Sequence, residues 1–219
     1  MEKMPYRPDL ESGSAANEGS GGTHNVPGWR QGLPVLTGSL ATLRDLQASD
    51  APSLLAMLAA DEVAQFISVP PSDLAGFEVF IAKMNLRRLS GEAVSFAVVP
   101  AGQDAAVGLF QVRQIEPGFG SAEWGFAIGS AYWGSGIFLE GARLVADFAF
   151  EVLGAHRLEA RSAIRNGRGN AALRKLGAVQ EGILRRSFLR NGEYLDEMLW
   201  SILDEDWRQA KAVWGPRLH

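Results

Sequence analysis

Residues 128–138 read Ile-Gly-Ser-Ala-Tyr-Trp-Gly-Ser-Gly-Ile-Phe, and this stretch carries the strongest structural signal in the chain. It predicts the end of a strand, a glycine-rich turn, and then a helix over residues 139–153, whose apolar residues recur at helical spacing. Gly134 and Gly136 can adopt backbone angles that other residues rarely reach. The first N–H groups of a helix lack internal partners and carry a partial positive charge. The stretch therefore predicts an anion site, with a phosphate as the expected ligand.

The composition of the chain is that of an ordinary globular protein. Its 219 residues are 47% hydrophobic and carry a formal net charge of -4. No apolar run is long enough to span a bilayer, so we expect no membrane partner. Nucleic-acid phosphates demand clustered Lys and Arg, and the mild acidity therefore argues against a nucleic-acid partner. Because no apolar stretch near Met1 could serve as a signal peptide, we expect a cytoplasmic location.

The chain contains no cysteine, and its three histidines, His24, His156 and His219, are far apart in sequence. The absence of cysteine excludes a thiol nucleophile, a disulfide framework and a thiolate metal site. We therefore expect neither a bound metal nor histidine chemistry.

Residues 1–32 differ in composition from the rest of the chain. They are rich in Gly, Ser, Asn and Glu and almost without aliphatic residues, so they cannot bury enough surface to become ordered. We expect a flexible N-terminal tail over residues 1–32 and a single folded domain over residues 33–219. Pro27 and Trp29 can dock the tail onto this domain or a partner, although a stray aromatic residue at a domain edge is commoner.

The folded part alternates short strand patterns with helical patterns. The predicted strands cover residues 33–43, 93–99, 106–115, 121–128 and 157–161, and the predicted helices cover residues 50–60, 73–89, 139–153, 169–176 and 204–214. Asn191-Gly192 is a strong hairpin signal, which adds two strands near the end of the chain. The links between residues 93 and 128 are short and polar, so these strands are expected to be antiparallel neighbours.

The glycine turn resembles a motif of the Gcn5-related N-acetyltransferases (GNAT), within which the branch of ribosomal-protein N-terminal acetyltransferases is most similar. In that family Q/R-x-x-G-x-G/A follows a strand, and residues 133–138 here read Trp-Gly-Ser-Gly-Ile-Phe. Trp133 replaces Gln or Arg, Gly136 matches the central glycine, and Phe138 stands where a small residue is usual. The Phe138 side chain can point into the core and leave the amides free, or it can occlude the cofactor channel.

A second stretch resembles the family's N-x-x-S-x-x-x-L-x-K-L-G-F. Residues 166–178 read Asn-Gly-Arg-Gly-Asn-Ala-Ala-Leu-Arg-Lys-Leu-Gly-Ala. Asn166 matches the asparagine that contacts the pantetheine arm in relatives, although capping the next helix is its ordinary role. Gly169 replaces the serine, and Leu173 stands where many relatives carry the tyrosine that protonates the leaving thiolate.

The resemblance extends over about residues 36–207 and implies the fold, the cosubstrate and its site. The implied fold is α/β (α+β), a mixed, mostly antiparallel twisted sheet of about seven strands with four to five helices on both faces. The implied cosubstrate is acetyl-CoA, whose pyrophosphate binds the amides of the glycine turn. The cofactor-binding residues that it implies are Phe126, Ala127, Ile128, Trp133, Gly134, Ser135, Gly136, Ile137, Phe138, Asn166 and Asn170.

The strand over residues 121–128 supplies the candidate catalytic groups. Alternation places residues 122, 124, 126 and 128 on an apolar face and leaves Glu123 beside small residues on the other. A partly desolvated Glu123 can act as the base that takes a proton from the amine, as a glutamate on this strand does in relatives. A solvated residue or a salt bridge is the alternative. A backbone N–H near Ala127 or Ile128 can hold the thioester carbonyl as it gains negative charge.

These features predict an acetyl-CoA-dependent N-acetyltransferase that moves the acetyl group directly to a primary amine. The acceptor is a protein N-terminus or a small-molecule amine, and the family branch suggests a homodimer. The alternative is a catalytically silent protein of the same fold that senses acyl-CoA or binds a partner. Arg185, Arg186 and Arg190 form a basic cluster that can hold an acidic substrate group or the 3′-phosphate of CoA, or can be a solvated strand face.

Overall fold

The protein is described by a computed structural model that covers residues 28–213. Its strands are β1 (Leu36–Thr37), β2 (Ala41–Asp45), β3 (Ala93–Pro100), β4 (Gly108–Gln114), β5 (Ser121–Ile128), β6 (Arg157–Ala163), β7 (Val179–Arg190) and β8 (Glu193–Leu203). Its helices are α1 (Ala51–Leu58), α2 (Asp61–Ala64), α3 (Leu74–Ser90), α4 (Ile137–Glu151), α5 (Gly167–Leu176) and α6 (Asp204–Val213). Residues 1–27 of the predicted tail, with His24 and Pro27, lie outside the described residues, as do Trp214 and His219.

One sheet contains all eight strands of this range, in the order β1-β2-β3-β4-β5-β6-β8-β7. Neighbouring strands are antiparallel except β5 and β6, which are parallel. The mixed, mostly antiparallel fold is therefore confirmed. The strand predicted over residues 33–43 is interrupted by a turn, which Gly38 N closes by donating to Ala41 O at 2.9 Å. This turn separates β1 from β2 and explains why the sheet has one strand more than predicted.

Helices cover both faces of the sheet, as expected. On one face α4, α5 and α6 pack over a core that includes Phe96, Phe110 and Trp200. On the other face α1, α2 and α3 pack over a second cluster that includes Leu54 and Phe77. The four-residue α2 was not predicted, because so short a helix shows no apolar period. No helix between residues 28 and 213 has the length and apolarity needed to cross a membrane.

Local sequence signals determine several element ends. The side chain of Asp73 accepts a hydrogen bond from Gly76 N at 2.7 Å and caps α3, at the predicted start of this helix. Asn191 (φ 50°) and Gly192 (φ 79°) both adopt the left-handed conformation, and this pair joins β7 to β8. The predicted hairpin is thereby confirmed.

The parallel pair β5 and β6 diverges part of the way along its length. The two strands pair at only three positions, the last of which joins Glu123 to Glu159. Beyond it β5 stays paired with β4 as far as Ile128, and β6 stays paired with β8 as far as Ala163. The sheet therefore opens into a V, which we call the cleft, between residues 124–128 of β5 and residues 160–163 of β6.

The segment that precedes β1 contacts the folded body. The Trp29 ring packs edge-on against Phe119, with 5.7 Å between ring centroids, and Leu33 N donates to the Asp45 carboxylate at 2.9 Å. Residues 28–32, the described part of the predicted tail, thus include an aromatic ring that docks onto the domain. The boundary at residue 32 stays a prediction.

Candidate functional site

The turn between β5 and α4 presents backbone donors to one side of the cleft. Gly134 (φ 80°) and Gly136 (φ 93°) adopt the left-handed conformation. Ser135 Oγ braces the turn, because it donates to Tyr132 O at 2.7 Å and accepts from Ile137 N at 3.3 Å. Among residues 28–213, no hydrogen-bond partner is found for four N–H groups of this turn, those of Gly134, Gly136, Phe138 and Leu139. This turn, residues 133–139, is called the glycine cradle below, and it has the donors that an anion needs.

Glu140, in the first turn of α4, ties the β1–β2 turn to the glycine cradle. Its carboxylate accepts hydrogen bonds from Ser39 N at 2.8 Å, Ser39 Oγ at 2.6 Å, Leu40 N at 2.7 Å and Ala41 N at 3.0 Å. Burial raises the pKa of Glu140, but these hydrogen bonds outweigh it and lower the pKa below its ordinary value of 4.5. A Cβ added at Gly136 would lie 2.9 Å from Leu40 Cδ1, so the tether also places Leu40 against the cradle.

Glu140→Gln is expected to lower thermal stability at pH 7 and to have little effect in acid. Folding lowers the pKa of this carboxylate. Its contribution to the free energy of unfolding is therefore present above the ordinary pKa of 4.5 and is lost as the pH falls through the pKa of the folded state. Thermal melts of both proteins from pH 7 to pH 3 should show a difference of about 3 °C that disappears at the acid end. A difference that is equal at both pH values would contradict the role of the charge.

The edge of β5 that faces the cleft carries backbone groups without a strand partner. Ile115 N donates to Ser121 O and Gly129 N donates to Val107 O, which fixes the alternation of hydrogen bonds between β4 and β5. Odd-numbered residues of β5 therefore direct their N–H groups to β4, and even-numbered residues direct theirs to the cleft. Of the two N–H groups predicted to hold the thioester carbonyl, that of Ile128 faces the cleft, whereas that of Ala127 is used within the sheet.

Ser162 lines the opposite side of the cleft, on β6. It shares a strand face with Leu158 and Ala160, which pack in the core beneath α4 and α5. Its Oγ is buried and has no hydrogen-bond partner among the described residues. A buried hydroxyl without a partner is unfavourable, and it marks a place where a bound molecule can supply the missing hydrogen bond.

Trp133 links the glycine cradle to both sides of the cleft. Its indole Nε1 donates to Ile128 O at 2.9 Å, so the ring covers the end of β5. The guanidinium carbon of Arg168, in α5, lies 4.5 Å from the centroid of the Trp133 ring. This cation–π contact holds a positive charge close to the cradle, where it suits an anionic ligand.

The Phe138 ring packs into the core. Its centroid lies 4.4 Å from that of Phe126 and 6.0 Å from that of Phe110, both of which belong to the cluster under α4. The Phe138 N–H stays without a partner within residues 28–213. Of the two alternatives for this residue, the structure thus favours a ring that points into the core and leaves the amides free.

Phe138→Ala is expected to destabilise the protein without tightening CoA binding. Loss of a partly buried ring from an aromatic cluster costs about 2–3 kcal/mol, somewhat less than at a fully buried position. For a domain of this size, the melting temperature should fall by about 4–12 °C. Thermal melts and a CoA titration of the variant check this. Affinity that rises tenfold would show instead that the ring occludes the site.

The two predicted asparagines differ in their availability. Asn166 Oδ1 accepts a hydrogen bond from Gly169 N at 2.9 Å and caps α5, and an added Cβ at Gly169 would lie 2.4 Å from Asn166 Nδ2. Asn170 is only 5% exposed, and its Nδ2 donates to Ala163 O and Asn166 O, both at 2.9 Å. Its Oδ1 accepts from Trp200 Nε1 at 2.9 Å. The Asn170 side chain is therefore used inside the protein, and its binding to the cofactor stays a prediction.

Glu123 lies in an ion-pair cluster. Arg113 Nη2 lies 2.5 Å from its carboxylate, and Arg161 Nε lies 3.6 Å from it. Glu123 also lies at the last paired position of β5 and β6, before the cleft opens. The alternative of a salt bridge describes this geometry, in which the carboxylate is already paired with two guanidinium groups. The role of Glu123 as the base stays a prediction that this geometry does not favour.

Two contributors to the cleft could not be identified from the sequence. Arg168 reaches Trp133 from a helix 35 positions later in the chain, and Ser162 is an ordinary polar residue in a strand. A cavity of about 520 Å³ lies away from the cleft, between Trp29 and the back of α4. Its lining is mostly apolar and has none of the free donors of the cradle. No group of three or more His, Asp or Glu side chains between residues 28 and 213 is arranged to hold a metal ion.

The cleft fits the chemistry of a CoA thioester. The unpaired amides of the cradle and the nearby Arg168 suit the negatively charged pyrophosphate. The pantetheine arm is a chain of amides, and the free edge of β5 and the unpartnered Ser162 Oγ offer hydrogen bonds to such a chain. The residues present are therefore suited to acetyl-CoA.

Similar proteins of known sequence are N-acetyltransferases by name. The chain is 31% identical over 178 residues to Probable N-acetyltransferase YjcK of Bacillus subtilis, which covers 78% of this chain and 98% of that protein. It is 22% identical over 138 residues to the ribosomal protein uS5-alanine N-acetyltransferase of Escherichia coli, which covers 63% of this chain and 71% of that protein.

A solved structure and a family model agree with these sequence relatives. Mycobacterium smegmatis RimJ in complex with CoA-disulfide superposes with a TM-score of 0.71 and 21% identity, over 82% of this chain and 91% of that chain, and shows the same fold. Residues 41–179 match the model of the acetyltransferase (GNAT) domain. This match agrees with the glycine cradle and the open cleft, and the chain therefore belongs to the GNAT family of acetyltransferases.

Proposed function

We propose that this enzyme binds acetyl-CoA in the cleft between β5 and β6 and transfers the acetyl group to the α-amine of its acceptor. The observation that carries the proposal is the divergence of β5 from β6 directly beside the unpaired amides of the glycine cradle. In this arrangement the pyrophosphate lies on the cradle, and the pantetheine arm runs along the free edge of β5. The thioester then reaches the end of the cleft near Ile128.

The proposed reaction requires few side chains. The amine nitrogen attacks the thioester carbon, negative charge develops on the carbonyl oxygen, and the C–S bond breaks to release CoA as a thiolate that takes up a proton. The Ile128 N–H faces the cleft and is placed to donate to the charged oxygen. The amine loses one proton to water or to a nearby base.

An α-amine suits this site better than a lysine side chain. An α-amino group has a pKa of about 8, so about a tenth of it is neutral at pH 7, whereas a lysine amine with a pKa of about 10.4 is neutral at well below 0.1%. Glu123 is engaged by Arg113 and Arg161, so it gives little help in deprotonation. An acceptor amine that is already partly neutral therefore needs less help from the enzyme to lose its proton.

Glu123→Gln tests whether the Glu123 carboxylate takes the proton from the attacking amine. We expect kcat/KM for a peptide α-amine to fall by less than about threefold, because the carboxylate is an ion-pair partner rather than the base. The pH profile should keep the shape of the wild-type profile. A hundredfold loss of kcat in a variant with an unchanged melting temperature, together with a changed pH profile, would establish Glu123 as the base.

The proposed function is tested by incubating the protein with acetyl-CoA and matched amines. The panel contains a short peptide with a free N-terminus, the same peptide with a formylated N-terminus, and spermidine. Release of CoA thiol and the mass of the product report transfer. We expect one acetyl group on the free peptide and none on the blocked peptide. Acetyl transfer to spermidine alone would contradict the proposal that the acceptor is an α-amine.

The silent alternative gives a different result in the same experiment. A protein that binds acetyl-CoA but acetylates no amine of a broad panel would be an acyl-CoA sensor of the same fold. A protein that binds no CoA species would contradict both the enzyme and the sensor.

A further inference from the structure

A second cavity, of about 220 Å³, lies beyond the open end of the cleft. One side is lined by Gln65 and Phe66, which follow α2, and α2 is anchored to the end of β5 by a hydrogen bond of 2.7 Å from Ser130 Oγ to Glu62. The other side is lined by Arg165, which follows β6, and by the tip of the β7–β8 hairpin. We call it the outer cavity. Its position at the ends of β5 and β6 suits the acceptor.

Arg190, at the end of β7, is the unusual residue of the outer cavity. Its Nε is buried and has no hydrogen-bond partner, and its guanidinium makes no hydrogen bond or ion pair within residues 28–213. Glu193 lies directly across the hairpin from Arg190 but pairs with Arg165, whose Nη2 lies 3.1 Å from the carboxylate. Arg190 thus carries a positive charge that the neighbouring carboxylate does not take up.

The structure separates Arg190 from the two other arginines of the basic cluster. Arg185 is exposed and does not line the outer cavity. The guanidinium carbon of Arg186 lies 6.0 Å from the centroid of the Tyr194 ring, and Arg186 N donates to the Asp196 carboxylate at 2.7 Å. A register shift of the hairpin between Leu184 and Phe188 separates these positions from the end of β7. Arg190 alone of the three lines the cavity.

The charges of the outer cavity define its complement. Arg165 and Glu193 neutralise each other, and Arg190 leaves one positive charge in excess. A guanidinium prefers a carboxylate, which it can bind through two parallel hydrogen bonds. Building on the proposed acetyl transfer, we infer that Arg190 binds a carboxylate of the acceptor, so that the preferred amines carry an anionic group close to the amine. A polyamine would place a further cation beside Arg190 and is disfavoured.

The carboxylate can come from an acidic side chain near a protein N-terminus or from a free amino acid. The test therefore uses matched acceptors: the peptide amides Ala-Glu-Ala-NH2 and Ala-Gln-Ala-NH2 for the first source, and alanine and alaninamide for the second. Binding of each to the CoA-loaded protein is measured by calorimetry, and acetyl transfer is measured separately. The variants are Arg190→Gln and, as a matched control on the same strand, Arg185→Gln.

We expect the acidic member of one pair to bind more than tenfold more tightly than its neutral partner. Arg190→Gln should abolish this preference, whereas Arg185→Gln should keep it, and CoA affinity should be unchanged in both. The inference would be overturned if the acidic and neutral members bound equally well, or if the two substitutions had equal effects. It would also be overturned if the protein bound CoA but bound none of the four acceptors. If the wild-type protein bound no CoA, the proposed function would be overturned instead. Failure of the inference and failure of the proposed function are therefore distinguishable.

Discussion

Gly136→Ala is expected to weaken CoA binding by roughly a hundredfold, since it removes one or two hydrogen bonds to a charged group that are each worth about 1.5–3 kcal/mol. Gly136 has φ 93°, which an alanine adopts only with strain, and its Cβ would lie 2.9 Å from Leu40 Cδ1. Leu40 is 42% exposed and its side chain can rotate away from the added Cβ, so the strain falls on the backbone angle of Gly136 and displaces the amides of the cradle. A calorimetric titration with CoA measures the loss.

Gly102→Ala is the matched control for this substitution. Gly102 also has a positive φ, of 75°, and lies in the turn between β3 and β4 with nothing within 4 Å of an added Cβ. Both variants should lose about 1–2 kcal/mol of stability from the left-handed conformation, but only Gly136→Ala should lose CoA binding. An unchanged CoA affinity in Gly136→Ala would contradict the assignment of the cradle as the pyrophosphate site.

Asn170→Ala is expected to be the most destabilising of the substitutions considered. The side chain donates to Ala163 O and Asn166 O and accepts from Trp200 Nε1, and all three bonds lie in the interior or at its edge. Removal leaves buried groups unpaired, at about 1–3 kcal/mol each, so the total should exceed about 3 kcal/mol. The melting temperature should then fall by about 6–12 °C.

Asn166→Ala provides the comparison, because it removes only the cap of α5 at a more exposed position. Loss of such a cap costs about 1 kcal/mol, which is about 2–4 °C here. If Asn170→Ala melted like the wild type and bound CoA poorly, Asn170 would be a ligand after all and its structural role would be wrong.

The parts of the fold that follow local rules could be predicted from the sequence. The alternation of residues 121–128 gave the bounds of β5, the helical pattern of residues 73–89 located α3, and Asn191-Gly192 marked the hairpin. The prediction failed where a local pattern was too short or was interrupted. The four residues of α2 show no period, and the turn that separates β1 from β2 is held by Glu140, a residue about 100 positions away.

The candidate site divides in the same way. The glycine cradle could be predicted because its conformation depends on Gly134 and Gly136 themselves. The use of Asn170 in the core depends on Trp200, thirty positions later, and the ion pairs of Glu123 depend on two other strands. Partners that meet only in the folded sheet leave no pattern along the chain, which is why Ser162 was not identified as a site residue and why the sequence could not separate Arg190 from Arg185 and Arg186.

Amide hydrogen exchange with and without acetyl-CoA tests the central claim most directly, because it reports where the ligand binds as well as whether it binds. We predict slower exchange within residues 126–139, which hold the cleft-facing edge of β5 and the glycine cradle, and no change at the larger cavity beside Trp29. Protection that is absent from residues 126–139, or that is confined to the cavity beside Trp29, would contradict the proposed acetyl-CoA site.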